Sequence, residues 1–267
     1  MTPVPVGTAT SVEKRLKDAG LKATIVSQPV FLTPGCAVED FNWPDRIILG
    51  TSVNDAVLAL KQILHPLVMR GVPVIVTNHE TAELVRESAT AFVATKISFI
   101  NELSSLCEKV NADAVSLAMA LGLDKKIAPR CLQPGAGMGG IFAESDMESL
   151  AELARAKGVS LKILSAAREV NLSLADRIVD KISTIVQSVQ NKDVGILGLA
   201  FKPNTNSVAG SSSLRLAQNL VARGARVRAY DPVAIPDARI ELNGTVHYCE
   251  TPYAAAEGMP IIIRWWR

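Results

Sequence analysis

An apolar stripe at helical spacing runs unbroken through Thr81–Val110. Leu84, Phe92, Val93, Ile97, Ile100, Leu103, Leu106, Cys107 and Val110 form it. A helix of about 30 residues spans roughly 45 Å, at 1.5 Å per residue. That is long for a small globular domain. Either part of it packs against a second copy or bridges two domains, or it is an ordinary core helix broken near Ala91. Periodicity alone leaves both open. Thr81 or Thr77 is placed to cap its start. The rest of residues 81–190 also reads as helical, with amphipathic segments at Met147–Lys157 and Ile163–Val189.

The flanks alternate strand and helix. Before the stripe come a helix at Ser11–Ala19, a strand at Lys22–Ser27, a strand at Asp45–Gly50, a helix at Asn54–Met69 and a strand at Val72–Thr77. After it come a strand at Asp193–Phe201, a helix at Ser211–Arg223 and a strand at Ala225–Asp231. Such alternation implies an α/β layer with a mainly parallel sheet. The last region needs more strands than its remaining sequence readily provides, with Ile261–Ile263 a candidate. Residues 1–80 contain no GxGxxG, the turn that usually opens a dinucleotide-binding sheet. The terminal RWWR, Arg264–Arg267, is unusual in composition.

Composition narrows the partners. Hydrophobic residues make up 48% of the 267 and aromatics 4%, so the cores are aliphatic. Net charge is +2, without a long like-charge block. That gives no reason to expect nucleic acid or an anionic membrane as partner. No apolar run approaches the ~18 residues of a membrane span. Cys36, Cys107, Cys131 and Cys249 form no CxxC pair, and His65, His79 and His247 are isolated. Neither a metal site nor a disulfide framework is expected. The expected setting is the reducing cytoplasm.

Pro134–Asp146, PGAGMGGIFAESD, places Gly135, Gly137, Gly139 and Gly140 within six residues. Such a loop exposes backbone N–H groups and can wrap a phosphate or a sugar, or can serve as an interhelical linker. It stands in order with Val4–Thr8 (VPVGT), Pro44–Gly50 (PDRIILG), Ala94–Glu102 (ATKISFINE), Gly198–Thr205 (GLAFKPNT) and Gly224–Pro232 (GARVRAYDP). In this order and spacing the chain resembles the UDP-glucose dehydrogenases, among the nucleotide-sugar 6-dehydrogenases. KISFINE is closer to that branch than to the GDP-mannose or UDP-N-acetylmannosamine branches.

The resemblance implies three parts: residues 1–80 as the remainder of a Rossmann-like NAD-binding domain, 81–190 as a central helical, dimerising domain, and 191–267 as part of a Rossmann-like UDP-binding domain. The family's first βαβ units would lie before Met1, and the end of its UDP domain after Arg267. The implied activity is NAD-dependent oxidation of the C6 alcohol of UDP-glucose to the carboxylate, through a cysteine-bound thiohemiacetal and thioester. The implied partners are UDP-glucose or a related UDP-sugar, and a second copy or a homologue paired through the long helix.

Residue by residue, the resemblance places Phe142 at the nucleophile and Val30 at the base. A phenyl ring forms no thiohemiacetal, and valine moves no proton. Asp146 falls on the catalytic aspartate, Ser145 on the lysine before it, and Arg86 and Thr90 on the oxyanion lysine and asparagine. Substrate contacts fall on Phe31, Leu32, Lys126, Gly135, Gly137, Met138, Gly139, Phe201 and Lys202. Lys126 replaces the arginine that reaches a neighbouring subunit's substrate. Ala209 replaces an NAD-contacting arginine, and Pro3 replaces a threonine. The expected outcome is a chain with impaired catalysis: a noncatalytic binding or assembly module, or a decayed gene product.

Overall fold

The computed structural model describes residues 4–265, apart from the side chains of Ile141 and Phe142. Pro3, Trp266 and Arg267 lie outside the described residues. The chain forms two compact units, Met1–Thr90 with Ser149–Val159 and Ala91–Glu148 with Ser160–Arg267.

The first unit contains α1 (Thr8–Asp18), α2 (Ala37–Asn42), β1 (Ile47–Gly50), α3 (Asn54–Ile63), α4 (His65–Val68) and β2 (Val74–Thr77). β1 and β2 pair in parallel, from Ile47 opposite Val74 to Gly50 opposite Thr77. All of β1 is buried, as a strand covered on both faces requires. Ile47 and Leu49 pack with Val57, Leu64 and Leu67. The single helix expected at Asn54–Met69 divides at Leu64, because Pro66 has no N–H to continue the ladder. The strand expected at Lys22–Ser27 is reduced to one antiparallel bridge, Ser27 to Gly50. Leu21–Thr24 are exposed, so little apolar burial fixes the preceding residues as a strand.

α5 (His79–Val110) runs for 32 residues without the break considered near Ala91. Neither threonine caps it: the Thr81 N–H donates to Asn78 Oδ1 at 2.9 Å. Residues up to Thr90 belong to the first unit and those from Ala91 to the second.

The second unit continues with α6 (Ala114–Leu123), the start of α7 (Ile141–Ala156) and α8 (Lys162–Val186). The helical expectation for 81–190 holds except at 111–113, in the long loop between α6 and α7, at 157–161 and after Val186. Then come β3 (Asp193–Leu197), α9 (Ser212–Ala222), β4 (Arg226–Tyr230), α10 (Ile235–Leu242), β5 (His247–Tyr248), α11 (Pro252–Ala256) and β6 (Ile261–Arg264). The four strands lie in the order β5-β4-β3-β6, all parallel. The strands thought to be in short supply are therefore present. β5 has only two residues, too few to leave a hydrophobic pattern. Val194, Ile196, Leu199, Leu216, Leu220 and Leu242 fill the core under the sheet with Val179 of α8. Alternating strands and helices in this order form a Rossmann-like half, whose strand order reverses between β3 and β6.

Candidate functional site

The loop after β3 leaves the carboxyl edge of the sheet where the strand order reverses, the usual place for a ligand crevice. Asp231, at the end of β4 and 4% exposed, fixes its start. One carboxylate oxygen accepts the N–H groups of Leu199 (2.8 Å) and Ala200 (3.1 Å). The other accepts those of Val233 (2.9 Å) and Ala234 (2.8 Å). Burial raises the carboxyl pKa, but the four donors outweigh it and hold the group below the ordinary range. Ser211 and Ser213 hydroxyls donate to Leu199 O at 2.7 and 3.2 Å. The half-buried Phe201 and Lys202 follow directly.

The glycine loop meets this one. The Gly140 N–H donates to Ala209 O at 3.1 Å. A Cβ on Gly139 would lie 2.6 Å from Gly210 O, and one on Gly140 would lie 2.9 Å from the Phe201 ring. Gly137, at φ +90°, would bring a Cβ within 2.5 Å of Asn171 Oδ1. The loop's backbone is less available than the sequence suggests. Asn101 Oδ1 accepts the Gly135 N–H at 2.9 Å, and Asn171 Oδ1 accepts the Met138 N–H at 2.6 Å. Asn171 also donates to Met138 O at 2.9 Å. These N–H groups shape the loop and do not point free at a phosphate. Sequence reading missed Asn101, Asn171 and Asp231. Asn171 carries a usable signal, a buried amide on the apolar stripe of α8.

Asp146 is 5% exposed on α7. Two residues earlier, Glu144 pairs with Arg215 of α9, which also donates to Gly210 O at 3.4 Å. Phe142 lies in the first turn of α7, its side chain outside the described residues. Lys126 is exposed after α6, its N–H donating to Asp124 Oδ1 at 2.8 Å. Lys96 Nζ donates to Ile127 O and Ala128 O, at 3.0 and 3.2 Å, and fixes that loop.

The remaining positions belong to the first unit. Arg86 and Thr90 are half-buried, four residues apart and so on one face of α5. The Thr90 hydroxyl donates to Arg86 O at 3.4 Å. Arg86 lines a cavity of about 330 Å³ with Thr8, Ser27, Gln28 and Glu83. Val30, Phe31 and Leu32 line another of about 90 Å³, with the Arg46 guanidinium 4.0 Å above the Phe31 ring.

Three domain models of one family match the chain in sequence order. They are the NAD binding domain (residues 2–68), the central domain (80–173) and the UDP binding domain (195–265) of the UDP-glucose/GDP-mannose dehydrogenase family. The chain belongs to this family. A UDP-glucose 6-dehydrogenase of Bacillus subtilis (strain 168) is 38% identical over 257 residues, 95% of this chain and 55% of that protein. One from Rickettsia bellii (strain RML369-C) is 35% identical over 237 residues, 88% of this chain and 55% of that protein. A solved UDP-glucose dehydrogenase from Pyrobaculum islandicum superposes with a TM-score of 0.94 at 33% identity, over 99% of this chain and 61% of that one. The chain thus spans little more than half the length of the curated relatives it matches.

Membership implies NAD as the family's cofactor. Among the described residues of the first unit, no glycine-rich turn joins a strand to a helix. Gly50, at the end of β1, is packed shut: a Cβ there would lie 2.6 Å from Ala82 Cβ and 2.8 Å from Asn78 O. These residues do not fit a dinucleotide's pyrophosphate. No helix among the described residues is long and apolar enough to cross a membrane.

Proposed function

We propose that this chain binds a UDP-sugar, UDP-glucose first among them, in its second unit, and that it does not oxidise the sugar by itself. The observation that carries the binding half is the meeting of Gly139–Gly140 with Phe201 and Gly210 at the strand-order reversal. There Gly135, Gly137, Met138 and Gly139 shape one wall of the site and Phe201 the other. Lys202 supplies a positive charge for a diphosphate or a hydrogen bond to a sugar hydroxyl. Lys126, where the resemblance puts the arginine that reaches a neighbouring subunit's substrate, is a cation for the ligand of a second copy. Phe31 and Leu32, in the first unit, stand where the resemblance puts further sugar contacts.

The noncatalytic half rests on residue chemistry. Arg86, Thr90 and Asp146 keep polar groups at the family's catalytic positions. Phe142 at the nucleophile position offers no thiol, and Val30 at the base position accepts no proton. Losses within one mechanism are not additive, and either alone costs orders of magnitude in rate. On this reading residues 1–80, 81–190 and 191–267 are the NAD-side, helical and UDP-side parts, and the setting is the cytoplasm.

One observation also favours an assembly role. Phe92, Phe99 and Leu106 follow one another at intervals of seven on α5 and are 67%, 52% and 57% exposed. A helix seam of this spacing fits a second copy or a homologue of the chain.

Calorimetric titration with UDP-glucose tests the reading. Saturable binding, weakened by Lys202→Ala, is the expected result. No heat at millimolar ligand from a folded sample overturns the binding half. Sustained NADH formation by pure protein with UDP-glucose and NAD overturns the noncatalytic half.

A further inference from the structure

His79, expected to be isolated, sits in a chain of polar contacts at the start of α5. Its Nδ1 lies 3.0 Å from Ser27 Oγ, and its Nε2 lies 3.2 Å from Glu13 Oε1. Ser27 Oγ also lies 3.2 Å from Glu83 Oε1. Glu83 in turn accepts the N–H groups of Gly7 at 2.6 Å and Ala9 at 2.9 Å. The chain ties α1 and the loop before it to α5. Thr8, Ala9, Ser27 and Glu83 all face the cavity of about 330 Å³ that Arg86 lines.

With both carboxylates ionised, a proton count ties the three contacts to the charge on the ring. The three contacts Glu83–Ser27, Ser27–His79 and His79–Glu13 each need one hydrogen, and ionised carboxylates supply none. Ser27 supplies one. His79 must supply two, which only the imidazolium form can do. With a neutral ring, either the Glu13 or the Glu83 contact is left without a donor.

Charged groups surround the ring on two helices. Glu13 faces the ring from α1, and Glu80 and Glu83 lie beside it on α5. The Glu80 carboxyl is held below its ordinary range chiefly by the Thr10 hydroxyl, with the His79 charge adding to the effect. The positive end of the α5 dipole acts against the imidazolium.

We propose that His79 is a proton-dependent latch: protonated, it closes α1 and its N-terminal residues Gly7–Ala9 onto α5, and on losing its proton it loosens that wall of the Arg86 cavity. A Ser27–His79–Glu13 array also has the look of a nucleophile, base and orienting acid. The Glu83 carboxylate beside Ser27 would repel the oxyanion such chemistry builds up, so the latch is the better account.

Long-range ¹H–¹⁵N spectra of the whole chain test it between about pH 5 and 8, the range in which histidine changes charge. At the acid end both ring nitrogens of His79 carry hydrogen. As the ring deprotonates, the Gly7 and Ala9 amide resonances move with the same midpoint. Hydrogen-exchange protection in α1, corrected for intrinsic rates, falls about tenfold, the worth of one hydrogen bond to a charged group. Glu13→Gln lowers the His79 midpoint, and His79→Gln removes the pH dependence of α1 protection. The proposal is overturned if His79 stays a single neutral tautomer throughout. It is also overturned if α1 protection in the natural chain does not change with pH, or if His79→Gln leaves that change intact.

Discussion

Replacing Asp231 with asparagine keeps the size of the side chain and removes its charge. Four backbone N–H groups now share the two carboxylate oxygens, a pair on each. An amide offers one oxygen, so one pair loses its acceptor and faces an NH₂ donor. Each buried N–H left without a partner costs about 1–3 kcal/mol. The Val233 N–H is only partly buried, so the amide nitrogen settles on the Val233–Ala234 side, where water relieves part of the loss. The net cost is about 3 kcal/mol, or a fall in Tm of about 6–12 °C for a unit of this size.

The pH dependence gives a second handle. The folded carboxyl is held below its ordinary value. Its contribution is therefore fully present above the unfolded pKa, near 3.9. It is lost as pH falls from there through the lowered folded value. Urea unfolding of both proteins, followed by circular dichroism at several pH values, measures the gap. The gap should be constant from about pH 8 to 5 and narrow below about pH 4. A cost under about 0.5 kcal/mol, or a gap unchanged at the acid end, would refute the account of this carboxylate, since a lost charge–dipole cluster must show both.

Three further outcomes follow from particular contacts. Gly137→Ala puts a Cβ against Asn171 Oδ1 at a positive φ, and should cost about 1–3 kcal/mol by chemical denaturation. A neutral result would mean that the loop is free to shift. Phe99→Glu should convert any dimer to monomer in sedimentation velocity while leaving the melting curve of the monomer nearly unchanged. Sedimentation identical to the natural chain's would remove the α5 seam from the proposal. Phe142→Cys alone should yield no sustained NADH formation, because Val30 still stands at the base position. Steady turnover by that single variant would show the Val30 argument to be wrong.

Much of the fold is legible because burial imposes a period on the sequence. The α5 stripe and the β3–α9–β4 repeat both declare themselves this way. What is not legible is set by contacts far apart in the chain. Lys22–Ser27 has strand-forming residues but only one bridging position, at Ser27, so its composition misleads. β5 is held by its neighbour β4 and needs no pattern of its own. Within the candidate site, the glycines of 135–140 and the FKPNT loop are visible as composition and resemblance. The side chains that fix them are not: Asn101 and Asn171 reach the glycine loop across more than thirty residues. His79 likewise reads as a lone imidazole until Glu13 is brought to it across 66 positions.

Gly139 meets Gly210 with no side chain between them. Side chains are the adjustable part of a protein interface, and here there are none to adjust. A larger residue at Gly139 has no rotamer that avoids the Gly210 carbonyl; it can only push the two loops apart. The spacing of the two walls is thus set by backbone thickness and cannot be tuned by point substitution at this joint. On the proposed reading, selection for a different ligand would have to act away from this joint, while the joint stays as it is.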